Sequence, residues 1–283
     1  MPTPHQIRIL EERRRKREES EPEEHHKPIL AIEGPRFPGF QFQKPATQRL
    51  GAPKHGENYF YINNVPVWLS DSRQDMDEEE QDHVIRTASS LWDCGVILAK
   101  YLEKHPTLVC GKHVIELGAG KALPSIAAAA LGARVVVTDA ADAMNAAQHV
   151  ADINDLHVNG RGPGWIESIQ PLDWLHREKD LSQLPHPPFD IVLCSDVVWV
   201  EYLVPHLVQT MAASPLTVEL PLAPGGVILL AHQTRSLRID NILFESLQTQ
   251  GFTFTKIEKY ELHPDYTKDG VCIWKIYRKL CHT

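Results

Sequence analysis

The residue types best suited to chemistry in this chain sit where apolar runs end. Gly118 and Gly120 follow the run "VIEL" (114–117), and 19 residues past Gly120 the run "VVVTD" closes on the carboxylate of Asp139. Glycines directly after a buried strand let backbone amides approach a ligand more closely than any side chain allows. A carboxylate ending the next strand is placed to accept hydrogen bonds from a ribose diol. Both features point to a nucleoside-bearing ligand, and dinucleotide-binding and S-adenosylmethionine-binding sheets share this logic. The dinucleotide fingerprint G-x-G-x-x-G needs a glycine at 123, where this chain has Leu123 and then Pro124. The phosphate-cradling spacing G-x-x-x-x-G-K-[ST] is absent as well. A further run, "FDIVLCSDVVW" (189–199), carries an apolar strand into Ser195 and Asp196. An acid there is costly to bury without a partner, which makes Asp196 a candidate for contact with a ligand.

Positioning these groups requires a sheet. Strands are predicted at 113–117, 134–138, 166–169, 189–194, 227–231, 252–260 and 271–277, and helices at 88–104, 123–131, 140–157, 201–213 and 236–249. The early strands are continuous apolar runs separated by helices, as in a parallel sheet covered on both faces. The chain therefore reads as a doubly wound α/β fold, mostly parallel. Its last two strands have no helix between them and are expected to form an antiparallel C-terminal hairpin. Pro224, Gly225 and Gly226 mark the turn into the fifth strand. Ahead of the sheet, "YFYINNVPVWL" predicts a β-hairpin turning at Asn63 and Asn64, and Thr87 or Ser89 could cap the first helix.

Composition sets the outer limits. The 283 residues, 42% of them hydrophobic, suit one large domain with a tail. Between Arg8 and Lys27 seven basic and seven acidic residues stand in blocks. Such a segment buries too little to offset its ordering entropy. Residues 1–55 are accordingly expected to be a disordered, charged and Pro-rich tail, and 56–283 the folded domain. The basic cluster Arg13–Arg17 matches a nuclear import address or, more simply, a solvated charge run. The segment 71–82, with seven acids and one arginine, is expected to be a solvated loop.

A formal net charge of −8 argues against a general grip on nucleic acid phosphates and favours a basic or amine-bearing partner. Cys94, Cys110, Cys194, Cys272 and Cys281 lack C-x-x-C spacing, which suits buried reduced thiols, a reducing compartment and no metal. No apolar stretch approaches 18 residues, so no membrane partner is expected. Fifteen histidines raise the idea of a hydrolase, but no G-x-S-x-G elbow occurs. His25, His26, His105, His186 and His263 are expected in solvent.

With these residues in view, the sequence resembles the class I S-adenosylmethionine-dependent methyltransferases, and more narrowly the family 16 protein-lysine methyltransferases. The resemblance runs from about Tyr59 to Lys279 and rests on "SLWDCGVILAKYLE", "ELGAGKALPSIAAAALGA", "VVVTD", "LDW" (172–174) and "SDVVW" (195–199). The ending "IEKYELHPDYTKDGVCIWKIYRK" looks most like the branch acting on the AAA ATPase valosin-containing protein. The resemblance implies a seven-stranded Rossmann-like methyltransferase sheet and S-adenosyl-L-methionine as cofactor. It implies a lysine-bearing protein substrate, such as an AAA ATPase or another abundant chaperone or translation factor. A monomer is also implied; the cytoplasm, with the nucleus as a second place, is expected instead from the reduced cysteines, the lack of a membrane span and the basic cluster.

By the same resemblance, Trp92 lies over the methionine end of the cofactor, Glu116 belongs to the cofactor site, and Gly118, Ala119 and Gly120 pass beneath the ligand. Asp139 binds the ribose hydroxyls, Trp174 flanks the adenine, Ser195 borders the cofactor, and Asp196 with Trp199 faces the target amine. The packing alternative makes Trp92 and Trp174 core aromatics and Asp173 a turn residue. Two departures stand out. Lys121, Ala122 and Ser125 occupy positions where many relatives have smaller residues or glycine, and Trp199 replaces the tyrosine of the family's D-x-x-Y.

The chemistry so implied is in-line attack of an amine lone pair on a sulfonium methyl, which depends mostly on positioning. Presenting a lysine of pKa about 10.4 as the neutral amine costs about 4.6 kcal/mol at pH 7. Desolvation beside the sulfonium lowers that cost, whereas Asp196 favours the ammonium. Its expected role is therefore to recruit and orient the amine, the proton leaving to water. Trp199 and Trp92 would exclude water and attract cations through their faces. The alternatives are a class I methyltransferase acting on a protein arginine or a small amine, and a non-catalytic, partner-binding member of the fold.

Overall fold

The computed structural model describes residues 59–63, 65–68, 91–154, 163–185, 188–213 and 226–278. The tail 1–55, the basic cluster, the acidic segment 71–82, Thr87, Ser89, Pro224, Gly225, His25, His26, His186 and Cys281 lie outside the described residues.

The first pair of strands, β1 (Tyr59–Ile62) and β2 (Val65–Trp68), forms the expected antiparallel hairpin. Asn63 has φ 49°, a left-handed conformation that asparagine tolerates better than bulkier residues. The hairpin docks on α1 (Asp93–Lys104). Asn63 N donates to Glu103 Oε1 (2.7 Å), while the buried Lys100 Nζ donates to Tyr61 O and Glu103 Oε2.

Seven strands make the main sheet in the order β5-β4-β3-β6-β7-β9-β8. These are β3 (His113–Leu117), β4 (Arg134–Asp139), β5 (Trp165–Pro171), β6 (Ile191–Ser195), β7 (Val227–Gln233), β8 (Phe252–Lys256) and β9 (Val271–Arg278). The first five in chain order pair in parallel, and β9 runs antiparallel between β7 and β8. The sheet is the α/β arrangement expected.

Alternation along the strands divides the core in two. Val114, Val135, Val137, Leu229 and Ala231 pack with α1 and α2 (Leu123–Ala130). Ile115, Leu117, Val136, Ile228 and Leu230 pack with α5 (Val204–Ala212) and α6 (Leu237–Thr249). Every residue of α2 is buried, and its run of alanines lets the helix lie close to both sheet and α1. A helix apolar on all sides belongs in such an interior. The remaining helices are α3 (Met144–Ile153), behind a 3-10 turn at Ala141–Ala143, and α4 (Arg177–Leu181).

Several expectations shift. The first helix begins at Asp93, later than expected, with Trp92 as its N-cap and no side-chain cap hydrogen bond; the expected caps Thr87 and Ser89 lie outside the described residues. An aspartate in the first turn complements the helix dipole instead. The strand expected over 252–260 ends at Lys256 because a 3-10 turn at Lys259–Glu261, closed by a Glu258/Glu261 capping box, redirects the chain. Helix α4 was not expected from the polar run that forms it. Cys94 and Cys194 are buried, but Cys110 is exposed. His105 and His263 are half-buried: His105 Nε2 meets Glu261 O at 2.8 Å, and His263 stacks edge-on against Tyr266.

Candidate active site

The carboxyl ends of β3, β4 and β6 open onto one cavity of about 480 Å³. Trp92, Gly118, Ala119, Gly120, Asp139, Trp174, Ser195, Asp196 and Trp199, all read from the sequence as site residues, line it. Glu116 does not.

The turn after β3 is held tightly. Gly118 has φ 67°, and a β-carbon there would stand 2.6 Å from Val197 Cγ1 and 3.1 Å from the Trp174 ring. Glycine is required by both conformation and space. Gly120 N donates to Asp139 Oδ2 (2.6 Å), Ala140 N to Asp139 Oδ1 (2.7 Å), and Ala119 N to Thr138 O (3.0 Å). Burial raises the Asp139 carboxyl above its usual range, against the pull of those two amides. Ala122 takes φ 55° where glycine would be relaxed, a local strain imposed by the surrounding packing. Lys121 is buried at 9% exposure and lines the cavity, so it does not point to solvent.

Glu116 instead lies on the α2 side of β3, fully buried. Its Oε2 accepts hydrogen bonds from Ser125 N (3.0 Å) and Ser125 Oγ. Alternation along the strand turns it under the glycine turn rather than into the cavity. Desolvation dominates and pushes its pKa up to about 8, with Ser125 opposing. Ser125, one of the residues noted above as a departure from the family pattern, is thus the partner of a buried acid.

At the other wall, Trp174 Nε1 is a buried donor without a partner among the described residues. Asp173 borders the cavity and also shapes the turn, its Oδ1 accepting from Leu175 N (2.8 Å). The hydrogen bond from His176, despite slight burial, holds its carboxyl below the usual range. Trp199, Val200, Tyr202 and Leu203 close the cavity beyond Asp196.

Asp196 sits at φ 59° with a side chain 4% exposed. Both of its oxygens are bound by Arg235, Nη1 to Oδ1 and Nη2 to Oδ2 (2.8 Å). The guanidinium stands 5.6 Å from the Trp92 ring centroid. The carboxylate expected to recruit and orient the amine thus already has a cation from its own chain, which was not expected. Sequence reasoning missed Arg235, although the cost of burying Asp196 already called for a partner. Next to this pair, Asp93 is paired with Lys268, and burial still leaves the Asp93 carboxyl raised.

A family profile described as "Lysine methyltransferase" matches residues 70–250, which takes in the whole glycine turn, Asp139, Asp196 and Arg235. The chain belongs to the lysine methyltransferase family. Among curated members and relatives, the Protein N-terminal and lysine N-methyltransferase EFM7 of Candida glabrata is 35% identical over 190 residues, 63% of this chain and 69% of its own length. The Protein N-lysine methyltransferase METTL21A of Danio rerio is 31% identical over 183 residues, 64% of this chain and 74% of its own. The Histone-arginine methyltransferase METTL23 of Mus musculus is 39% identical over 107 residues, 38% of this chain and 40% of its own. Among solved structures, the Thermus thermophilus 16S rRNA methyltransferase RsmC is 15% identical, with a TM-score of 0.47 over 79% of this chain and 50% of that one. The fold of this lysine methyltransferase family member is defined by its own seven-stranded sheet.

Proposed function

We propose that this protein transfers a methyl group from S-adenosyl-L-methionine to the side-chain amine of a lysine in a protein substrate. The observation that carries the reading is the convergence of the Gly118–Gly120 turn, Asp139 and Asp196 on one cavity. Membership of the lysine methyltransferase family supports the acceptor.

The residues fit the cofactor. Each Asp139 oxygen accepts one backbone N–H and keeps lone pairs for a ribose diol. The side-chain-free surface at Gly118 admits a close approach, and Trp174 Nε1 offers an unspent donor. When bound, the cofactor supplies an electrophilic sulfonium methyl. The chain's own work is to bind, orient and exclude water: Trp92 and Trp199 wall the acceptor end, and Asp196 accepts a hydrogen bond from the entering nitrogen. Glu116 acts from below, fixing α2 under the glycine turn through Ser125.

Labelled methyl transfer from S-adenosylmethionine into cell-extract proteins, followed by amino-acid analysis, tests the acceptor. Methyl-lysine is the expected product. Methylarginine would favour the second reading, which the match to a histone-arginine methyltransferase over 107 residues motivates. An AAA ATPase, or another abundant chaperone or translation factor, is our proposed substrate class, resting on the ending from Ile257. A monomer in the cytoplasm, and secondarily the nucleus, is likewise proposed; Cys94, Cys110, Cys194 and Cys272 are unpaired thiols, which suits a reducing compartment.

A further inference from the structure

The carboxylate best placed to receive the target amine is already held by a cation. Asp196 leaves β6 in a left-handed conformation, its N–H donating to Ala231 O (3.0 Å). This aims the side chain at the loop after β7, where Arg235 takes both oxygens. Arg235 is itself pinned on either side. Thr234 Oγ1 donates to Asp240 Oδ2 (2.7 Å), His232 Nε2 meets Asp240 Oδ1 (2.8 Å), and Arg238 pairs with Glu201 (2.7 Å). Burial pulls the Arg235 pKa down, but the hydrogen bonds and charge of Asp196 outweigh it and leave it raised.

The groups facing Asp196 come from two elements, and a third supplies the cation paired with one of them. Arg235 reaches it from the β7–α6 loop, and the buried Cys94 thiol and Asp93 face it from α1. Lys268, from the loop before β9, is paired with Asp93. Two carboxylates and two cations leave this wall with no net charge. A lone carboxylate within about 4–6 Å of an amine stabilises the ammonium and so raises its pKa by about one unit or more. A carboxylate clamped by a guanidinium exerts little of that pull, yet keeps a free lone pair on each oxygen.

We propose that Arg235 is a positioning residue that fixes the protonation state of the acceptor: by clamping both oxygens of Asp196 it leaves the carboxylate able to accept a hydrogen bond from a neutral amine, and prevents it from holding the target lysine as an ammonium. The inference rests on the methyl-transfer reading and deepens it. Arg235 makes and breaks no covalent bond. The proton leaves the ammonium for water before attack, and the carboxylate then orients the lone pair.

The test is methyl transfer from S-adenosylmethionine into extract proteins, with methyl-lysine quantified across neutral to alkaline pH, for wild type, R235M, R235K and D196N/R235M. The alkaline midpoint of kcat reports ionisation of the bound amine. R235M frees the carboxylate, so the midpoint should rise by about one pH unit and kcat near neutrality fall about tenfold. The extract concentration giving half-maximal rate should fall at the same time, because the charged lysine is now held. R235K should recover part of both effects. R235M leaves a buried charge uncompensated, so D196N/R235M provides an independent arm: with both charges gone, its midpoint should equal that of wild type, whatever its kcat.

An R235M midpoint identical to wild type, or a D196N/R235M midpoint about one unit lower, overturns the inference, the latter meaning that Asp196 acts on the ammonium with its charge unspent. Wild-type protein that yields no methyl-lysine overturns the function itself. Active wild type with either contrary midpoint overturns only the role of Arg235.

Discussion

Gly120 donates its N–H to Asp139 Oδ2 across 2.6 Å, so the turn after β3 and the end of β4 are one bonded unit. Asp139 therefore has two duties, shaping the turn and offering lone pairs to a ribose. Asp139→Ala removes both. Hydrogen bonds to charged groups contribute about 1.5–3 kcal/mol, so affinity for S-adenosylmethionine should fall about tenfold to a hundredfold. Isothermal calorimetry checks this, and unchanged affinity would remove Asp139 from the site.

Gly118→Ala should be costly twice over. A β-carbon at φ 67° is strained, and it would meet Val197 Cγ1 at 2.6 Å. We expect about 1–3 kcal/mol of lost stability, read as a lowered denaturation midpoint, and a cavity too narrow for the cofactor. Adding Val197→Ala should relieve the contact but not the backbone strain, recovering only part of the loss.

Glu116 gives the fold a dependence on pH with a defined sign. Its folded pKa is raised to about 8 from 4.5, so the folded protein keeps a proton that the unfolded chain releases in between. Stability should decline as pH rises through that window and level off above it. Glu116→Gln, which keeps an acceptor for Ser125 N, should flatten this slope in urea titrations at several pH values. An equally steep slope in the variant would assign the dependence elsewhere.

Lys100 joins the hairpin to the sheet domain, bonding Tyr61 O and Glu103 Oε2 and lying 4.9 Å from the Tyr266 ring centroid. Lys100→Ala leaves a buried carbonyl without its donor. The expected cost is about 1–3 kcal/mol. Hydrogen exchange should quicken in β1 and β2 first, while β3 and β6 stay protected; uniform loss of protection would contradict this local role.

The sequence by itself determined most elements and the outline of the cavity. The run at 113–117 is β3 to the residue, and α2 and α6 fall within a residue of their expected ends. Apolar period and glycine or proline punctuation are local signals, so they survive being read one segment at a time. Gly118, Asp139 and Asp196 were legible for the same reason: a parallel sheet brings its strand ends to one edge, whatever the loops do. Only the tertiary structure decided which groups face each other across that edge. Asp196 finds Arg235 39 residues further on, and Asp93 finds Lys268 175 residues away. β9 lies between β7 and β8, and the loop before it carries Lys268 to Asp93 of α1. Strand alternation turned Glu116 away from the ligand and into contact with Ser125. Such pairings depend on crossovers and on the free energy of burying charge, which are properties of the assembled chain rather than of any stretch within it.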